Sequence, residues 1–119
     1  MMSLNEQIIK ALKPLKIDIT VVEHPLDSTG KLPDSFLVIN PQYEEFVLHA
    51  DDKPDFWKSA VELALFTKGN YLPLRDKITR LLVKAEITIT ERRYVEMETD
   101  TGYHHYIFGL ESIQNYEED

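Results

Sequence analysis

The sequence predicts an α+β fold: a mostly antiparallel four- to five-stranded sheet with two helices packed on one face, in a single domain over residues 1–119. Three observations predict it. Two segments, Leu4–Leu12 and Leu74–Ala85, carry apolar residues at helical spacing behind a capping residue. Several β-branched runs lie between and after them. A chain of 119 residues is the size of one domain, and can bury roughly two-thirds of its unfolded surface without staples.

The first helix opens on an S-x-x-E capping box, Ser3 and Glu6, in which the hydroxyl takes an orphan N–H and the carboxylate reaches back to the cap. Leu4, Ile8, Ile9 and Leu12 then share a stripe, and Pro14 ends the helix. Ile17–Val22 is β-branched and predicts a strand. His24-Pro25 through Pro33-Asp34 reads as a loop, rich in Pro, Asp, Ser, Thr and Gly. Phe36–Ile39 reads as a buried strand, Asn40-Pro41-Gln42 as a turn, and Phe46–Ala50 as the antiparallel partner.

Asp51–Phe66 reads two ways. Asp52 and Pro54 suit a helix start, and Ala, Leu and Glu favour helix. Trp57, Ser59, Val61, Leu63 and Leu65 alternate with Lys58, Ala60, Glu62 and Ala64, which suits a strand. The second helix has Asn70 as cap and Pro73 in its first turn. Its apolar face is Leu74, Ile78, Leu81, Leu82 and Ala85, and Lys84 sits well at the negative end of the dipole.

Strand signals follow at Ile87–Thr90 and Tyr94–Met97. Asp100-Thr101-Gly102 makes a hairpin loop in which Gly102 can take positive φ. On the returning strand, Tyr103–Ile113, one face carries Tyr106, Phe108 and Leu110, and the other Tyr103, His105 and Ile107. Apolar groups on both faces mark a central strand or one that meets another chain. The tail Tyr116–Asp119 is acidic.

Twenty-one acidic and thirteen basic residues give a net charge of −8. Phosphate-backbone binding draws its affinity from Lys and Arg, so this balance argues against tight nucleic-acid binding and against an anionic membrane surface. No apolar run approaches the ~20 residues of a membrane span, and no signal peptide is expected. The absence of cysteine excludes disulfides.

Chemistry is sparse. No H-x-x-x-H or H-E-x-x-H spacing exists, and His104 and His105, adjacent on a strand, point to opposite faces, so no metal is expected. His49 with Asp51 lacks a third ligand. There is no G-x-S-x-G, and the four glycines lie far apart, so neither a nucleophile elbow nor a phosphate loop is expected. Tyr94, Tyr103, Tyr106 and Phe108 are the residue types of a base-stacking sheet, but only Arg92-Arg93 accompanies them. No catalytic residue, no cofactor and no enzymatic activity is expected.

The opening Ser3–Leu15, the Ala50-Asp51-Asp52-Lys53-Pro54 segment, Lys68-Gly69-Asn70-Tyr71, the amphipathic helix Leu74–Ala85 and the Glu98–Phe108 stretch with Thr-Gly-Tyr-His-His together resemble tail-completion, or tail-terminator, proteins of phages and prophages. The resemblance implies a structural subunit of a ring, typically a hexamer, at the head-proximal end of the tail tube. That ring stops tube growth and meets the head connector. It implies partners in a second copy, the tail tube protein and the head-connector protein, and a location in the bacterial cytoplasm during assembly and then in the virion tail. It also implies a strand at Trp57–Phe66. The loop Val22–Asp34 departs from the family pattern, and Phe66-Thr67-Lys68 stands where the family carries an aromatic-Cys-Pro turn.

If the protein assembles, Tyr103, His105 and Ile107 are the expected subunit contact. Two other readings compete with this one. An acidic inhibitor or DNA mimic would be a monomer or dimer with its acids clustered, and a hydrolase would gather His49, His105 and carboxylates in a pocket.

Overall fold

Ser3 caps the first helix, α1 (Leu4–Leu12), as its sequence dictates: its Oγ accepts the Glu6 N–H at 3.2 Å. The Ser3 hydroxyl also donates to Glu6 Oε1 at 3.2 Å, so the carboxylate reaches back to the cap's side chain. Leu4, Ile8 and Leu12 are buried, whereas Ile9 is 40% exposed. A single 3-10 turn at Lys13–Leu15 carries Pro14, and Lys16 leaves it at φ 57°. The computed structural model describes residues 3–24, 31–48 and 54–115.

Five strands form one sheet: β1 (Asp18–Val21), β2 (Ser35–Leu48), β3 (Pro54–Lys68), β4 (Thr88–Met97) and β5 (Tyr103–Asn115). The second helix, α2 (Leu72–Lys84), lies between β3 and β4 in the chain. The strand order is β1-β2-β3-β5-β4. The sheet is mixed. β1 runs parallel to β2, with Asp18 opposite Phe36 and Val21 opposite Ile39, while the other three pairings are antiparallel. A parallel neighbour needs a crossover of about a dozen residues, and residues 22–34 supply it. Read as a loop, that segment carried no direction.

Two sequence expectations are corrected by β2. Asn40-Pro41-Gln42 is not a turn, and Phe36–Ile39 and Phe46–Leu48 are not partners but parts of one strand. The register with β3 slips between Pro41, opposite Val61, and Tyr43, opposite Ala60, leaving Gln42 as the extra residue of a bulge. Pro lacks an N–H for the ladder, and a bulge is one of the few places where a sheet tolerates it. His49 and Ala50, the end of the expected partner, lie outside the described residues.

The segment that read two ways is β3, paired along its length with β2 on one side and β5 on the other. Local propensity yields here to burial on both faces. Val61, Leu63 and Leu65 look one way, and Ala64 and Phe66 the other, all of them buried. Pro54 is the first residue of this strand rather than of a helix.

Asn70 does act at the start of α2: its Oδ1 accepts the Leu72 N–H at 3.1 Å. Ile78 and Leu82 are fully buried, and Leu74 and Leu81 pack against them. Ala85, expected on the apolar face, is exposed, because the helix ends there. Beyond it the Glu86 N–H reaches the Val83 carbonyl at 3.0 Å and the Ile87 N–H the Leu82 carbonyl at 3.0 Å. With Glu86 at φ 61°, this is a Schellman ending in which Glu replaces the usual Gly.

The runs Ile87–Thr90, from Thr88 on, and Tyr94–Met97 belong to one strand, β4. Its hairpin with β5 closes through the Glu98 N–H to Tyr103 O at 2.8 Å and the Gly102 N–H to Glu98 O at 2.7 Å. Gly102 takes φ 80° there.

The main core gathers Leu37, Ile39, Val61, Leu63, Leu65, Tyr106, Phe108 and Leu110 from the sheet with Leu4, Ile8 and Leu12 of α1 and Ile78 and Leu82 of α2. The opposite face holds a smaller cluster, Phe36, Val38, Ala64, Phe66 and Tyr103, with Leu32 packed on it. The apolar residues on both faces of β5 follow from its place between β3 and β4.

Candidate assembly interface

Tyr103, His105 and Ile107 project to the face of the smaller cluster, as strand alternation requires. His105 stands in one row across three strands, since Phe36 pairs with Phe66 and Phe66 with His105. Phe36 and Phe66 stack at 4.9 Å and 14°, and Phe66 and His105 at 4.3 Å and 17°. His24 meets this row from above, its ring 5.3 Å from Phe36 and 5.1 Å from Phe66.

Tyr103 is only 3% exposed, and its hydroxyl donates to the Pro33 carbonyl. The Lys68 ammonium lies over its ring at 5.1 Å. Ile107 is 5% exposed. Two of the three residues expected at a subunit contact are therefore buried by their own chain, and His105 is half-buried. Leu32 and Pro33 contribute to the cover of Tyr103, and His24 to that of Phe36 and Phe66. Burial pushes the His105 imidazole below its ordinary value, against the opposing pull of Glu98, Glu62 and Glu96. Burial also raises the Tyr103 phenol, aided by Asp34 and Glu98.

His104 looks the other way. Its Nδ1 lies 2.9 Å from the Tyr94 hydroxyl, and Tyr94 stacks on Tyr71 at 4.9 Å and 7°. No group of three His, Cys, Asp or Glu side chains able to hold a metal occurs among the described residues. His49 and Asp51 lie outside them. Of the four aromatics that suit base stacking, Tyr103, Tyr106 and Phe108 are buried. Arg92 donates to the Thr79 hydroxyl at 3.2 Å, and Arg93 lies 3.7 Å from Glu62 and 3.6 Å from Glu91. No helix of the described residues is long and apolar enough to cross a membrane.

β4, the last strand of the sheet, carries exposed apolar side chains. Tyr94, Val95 and Met97 are 41%, 38% and 48% exposed. β4 slips register against β5 twice, between Ile89 and Glu91 and between Tyr94 and Glu96. Glu91, Arg92, Arg93 and Tyr94 form the regular stretch between the slips. Gly109 sits opposite the first slip, where a Cβ would come within 2.7 Å of Thr90 Oγ1 and 2.9 Å of Glu91 Cγ. Close approach of β4 thus requires glycine at this position.

Beside Gly109 lies a shallow depression of about 340 Å³ lined by Gln42, Tyr43, Glu62, Glu91 and Glu111 among others. Lys58 pairs with Glu111 at 3.2 Å near its rim, and the hydrogen bond to Glu111 raises the ammonium pKa. These groups are water-facing ion pairs. The strand at the opposite edge of the sheet, β1, exposes Asp18 and Val21.

The residues expected at a subunit contact lie on β5, one strand inward from the edge strand β4. The signal for the outer strand was Glu91-Arg92-Arg93 set between two β-forming runs, since charge in mid-strand is how natural sheets guard an edge. Neither a protein-family model nor a curated protein matches the chain.

Proposed function

We propose that this chain is a structural ring subunit that caps the head-proximal end of a phage or prophage tail tube and joins it to the head connector. In this reading both helices back one face of the sheet, and the ring, with six copies as the family pattern implies, forms in the bacterial cytoplasm before entering the virion tail. The observation that carries it is a sheet ending in two unlike strands. β1 has four residues and β4 has ten, and neither has an outer neighbour among the described residues. Copies joined through unlike edges meet head to tail, and such contacts close into rings when the rotation allows.

The net charge of −8 suits a ring through which DNA passes, because like charge keeps the duplex from sticking to the wall. The test is electron microscopy of purified tail tubes with and without the protein, together with light-scattering mass over a concentration series. Ring-shaped density at one tube end is expected. A protein that stays monomeric and leaves both tube ends bare overturns the reading and favours the acidic binding module.

A further inference from the structure

Resting on the ring reading, we infer that the seam between copies is an antiparallel pairing of β4 with the β1 segment of a second copy, with Arg93 opposite Asp18 of that copy. Three observations fix this register. The first is length. The regular stretch of β4 between its two slips is Glu91–Tyr94; Asp18, Ile19 and Thr20 of β1, with Ile17 just before it, span that stretch and only Val21 meets a slip, whereas a long strand would run into both bulges.

The second is facing. Residues opposed across strands point to the same side of a sheet, so only registers that match sides are allowed. Asp18 is opposite Phe36 and Thr20 opposite Val38, which puts both on the side of the smaller cluster. Arg93 is opposite Ile107 and Glu91 opposite Gly109, on that same side. Arg92 and Tyr94, opposite Phe108 and Tyr106, face the main core, as do Ile17 and Ile19.

The third is charge. Among the registers that match sides, one sets Asp18 opposite Arg93, Thr20 opposite Glu91, Ile19 opposite Arg92 and Ile17 opposite Tyr94. It places an acid on a base on one side and an isoleucine on an aromatic ring on the other, both favourable cross-strand pairs. Sliding by two residues one way puts Asp18 against Glu91, a like-charge pair. Sliding two the other way leaves Arg93 facing Thr20. The Arg93 side chain is 52% exposed, and its contacts to Glu62 and Glu91 are long, at 3.7 and 3.6 Å, so it can turn to a second acid.

The direction also follows from the sheet. β1 and β4 run oppositely within one copy, because β1 parallels β2 and three antiparallel steps separate β2 from β4. A ring whose axis runs along the strands therefore brings β4 against an antiparallel β1.

Because the chain has no cysteine, introduced thiols report the seam alone. Thr20→Cys and Glu91→Cys leave the Asp18–Arg93 pair intact. Under mild oxidation the double variant should give a ladder of disulfide-linked oligomers, and each single variant alone no cross-link. The charge-reversed variants Asp18→Arg and Arg93→Asp should each lower the oligomer's scattering mass, and the combined variant should restore it. Dimers from Glu91→Cys alone would mean that β4 pairs with β4 about a two-fold axis, which overturns the seam. No cross-link in a preparation whose mass is oligomeric overturns the seam and spares the ring. No cross-link, either in a strictly monomeric preparation or on tail tubes whose ends stay bare in its presence, overturns both.

Discussion

The imidazole of His105 lies flat on Phe66, ring centroids 4.3 Å apart, at the end of a row that begins with Phe36. Burial depresses its pKa, so the folded state favours the neutral ring. Below an unfolded histidine pKa of ~6.5 the unfolded chain takes up the proton more readily, and stability falls. Stability is therefore fully present above that value and declines as pH drops from there through the depressed folded pKa. His105→Phe keeps the stack and removes the proton. Its Tm should lose less between pH 7 and pH 5 than the parent's. Parallel Tm curves for the two proteins would show that His105 carries no such linkage.

Gly109→Ala should destabilise the protein by about 1–3 kcal/mol, the usual cost of forcing a methyl into a filled site. The added Cβ meets Thr90 Oγ1 at 2.7 Å and Glu91 Cγ at 2.9 Å. Removing the nearer obstacle with Thr90→Ala should recover part of the loss, so the pair is expected to be non-additive in a double-mutant cycle. Denaturant midpoints of the four proteins measure this, and strict additivity would contradict the close approach of β4.

Glu86→Gly should raise stability by about 0.5–1 kcal/mol. Glu86 holds φ 61° at the end of α2, where an L side chain crowds the backbone and glycine does not. The two capping hydrogen bonds from Glu86 and Ile87 need no side chain, so they persist in the variant. Thermal unfolding checks the sign, and a lower Tm would mean that the Glu86 side chain itself contributes.

Tyr103→Phe should cost about 1–3 kcal/mol, because it leaves the Pro33 carbonyl without its donor beside a part-buried ring. The aromatic packing against Phe36 remains. Proteolysis should then cut the segment before Ser35 sooner than in the parent, if the phenol is what ties it to the sheet. Unchanged cleavage there would assign the anchoring to Leu32 and His24 instead.

The helices, the hairpin and the two-sided apolar strand were legible because each is written in local signals: a cap, a proline, a glycine of positive φ, an alternation. Ser3, Asn70 and Gly102 serve the roles their types suggest. What escaped was non-local. The parallel direction of β1 shows only in its pairing with β2, Asp18 opposite Phe36, which no local pattern encodes. The continuity of β2 escaped because Pro41 looks like a turn residue when its strand partner, Val61, is unknown. The tie between Tyr103 and Pro33, with Leu32 packed on the same cluster, joins segments about seventy residues apart, and no spacing rule reaches that far. The edge position of β4 was written in Glu91-Arg92-Arg93, but those charges also suit an ordinary exposed strand face.

The single extra residue in β2 sets the two halves of that strand out of phase. Up to Pro41, odd-numbered positions look toward the main core, as Leu37 and Ile39 do. Past Gln42 the parity inverts, and Tyr43, opposite Ala60, takes the side of Ala64 and Phe66. One glutamine thus works as a phase shifter between two patterns that would otherwise be incompatible. Deleting it would set Tyr43 directly after Pro41 and still opposite Ala60, so both halves would keep their faces and only the bulge would go; a regular ladder that kept Gln42 would instead turn Tyr43 through Val47 over to the other side.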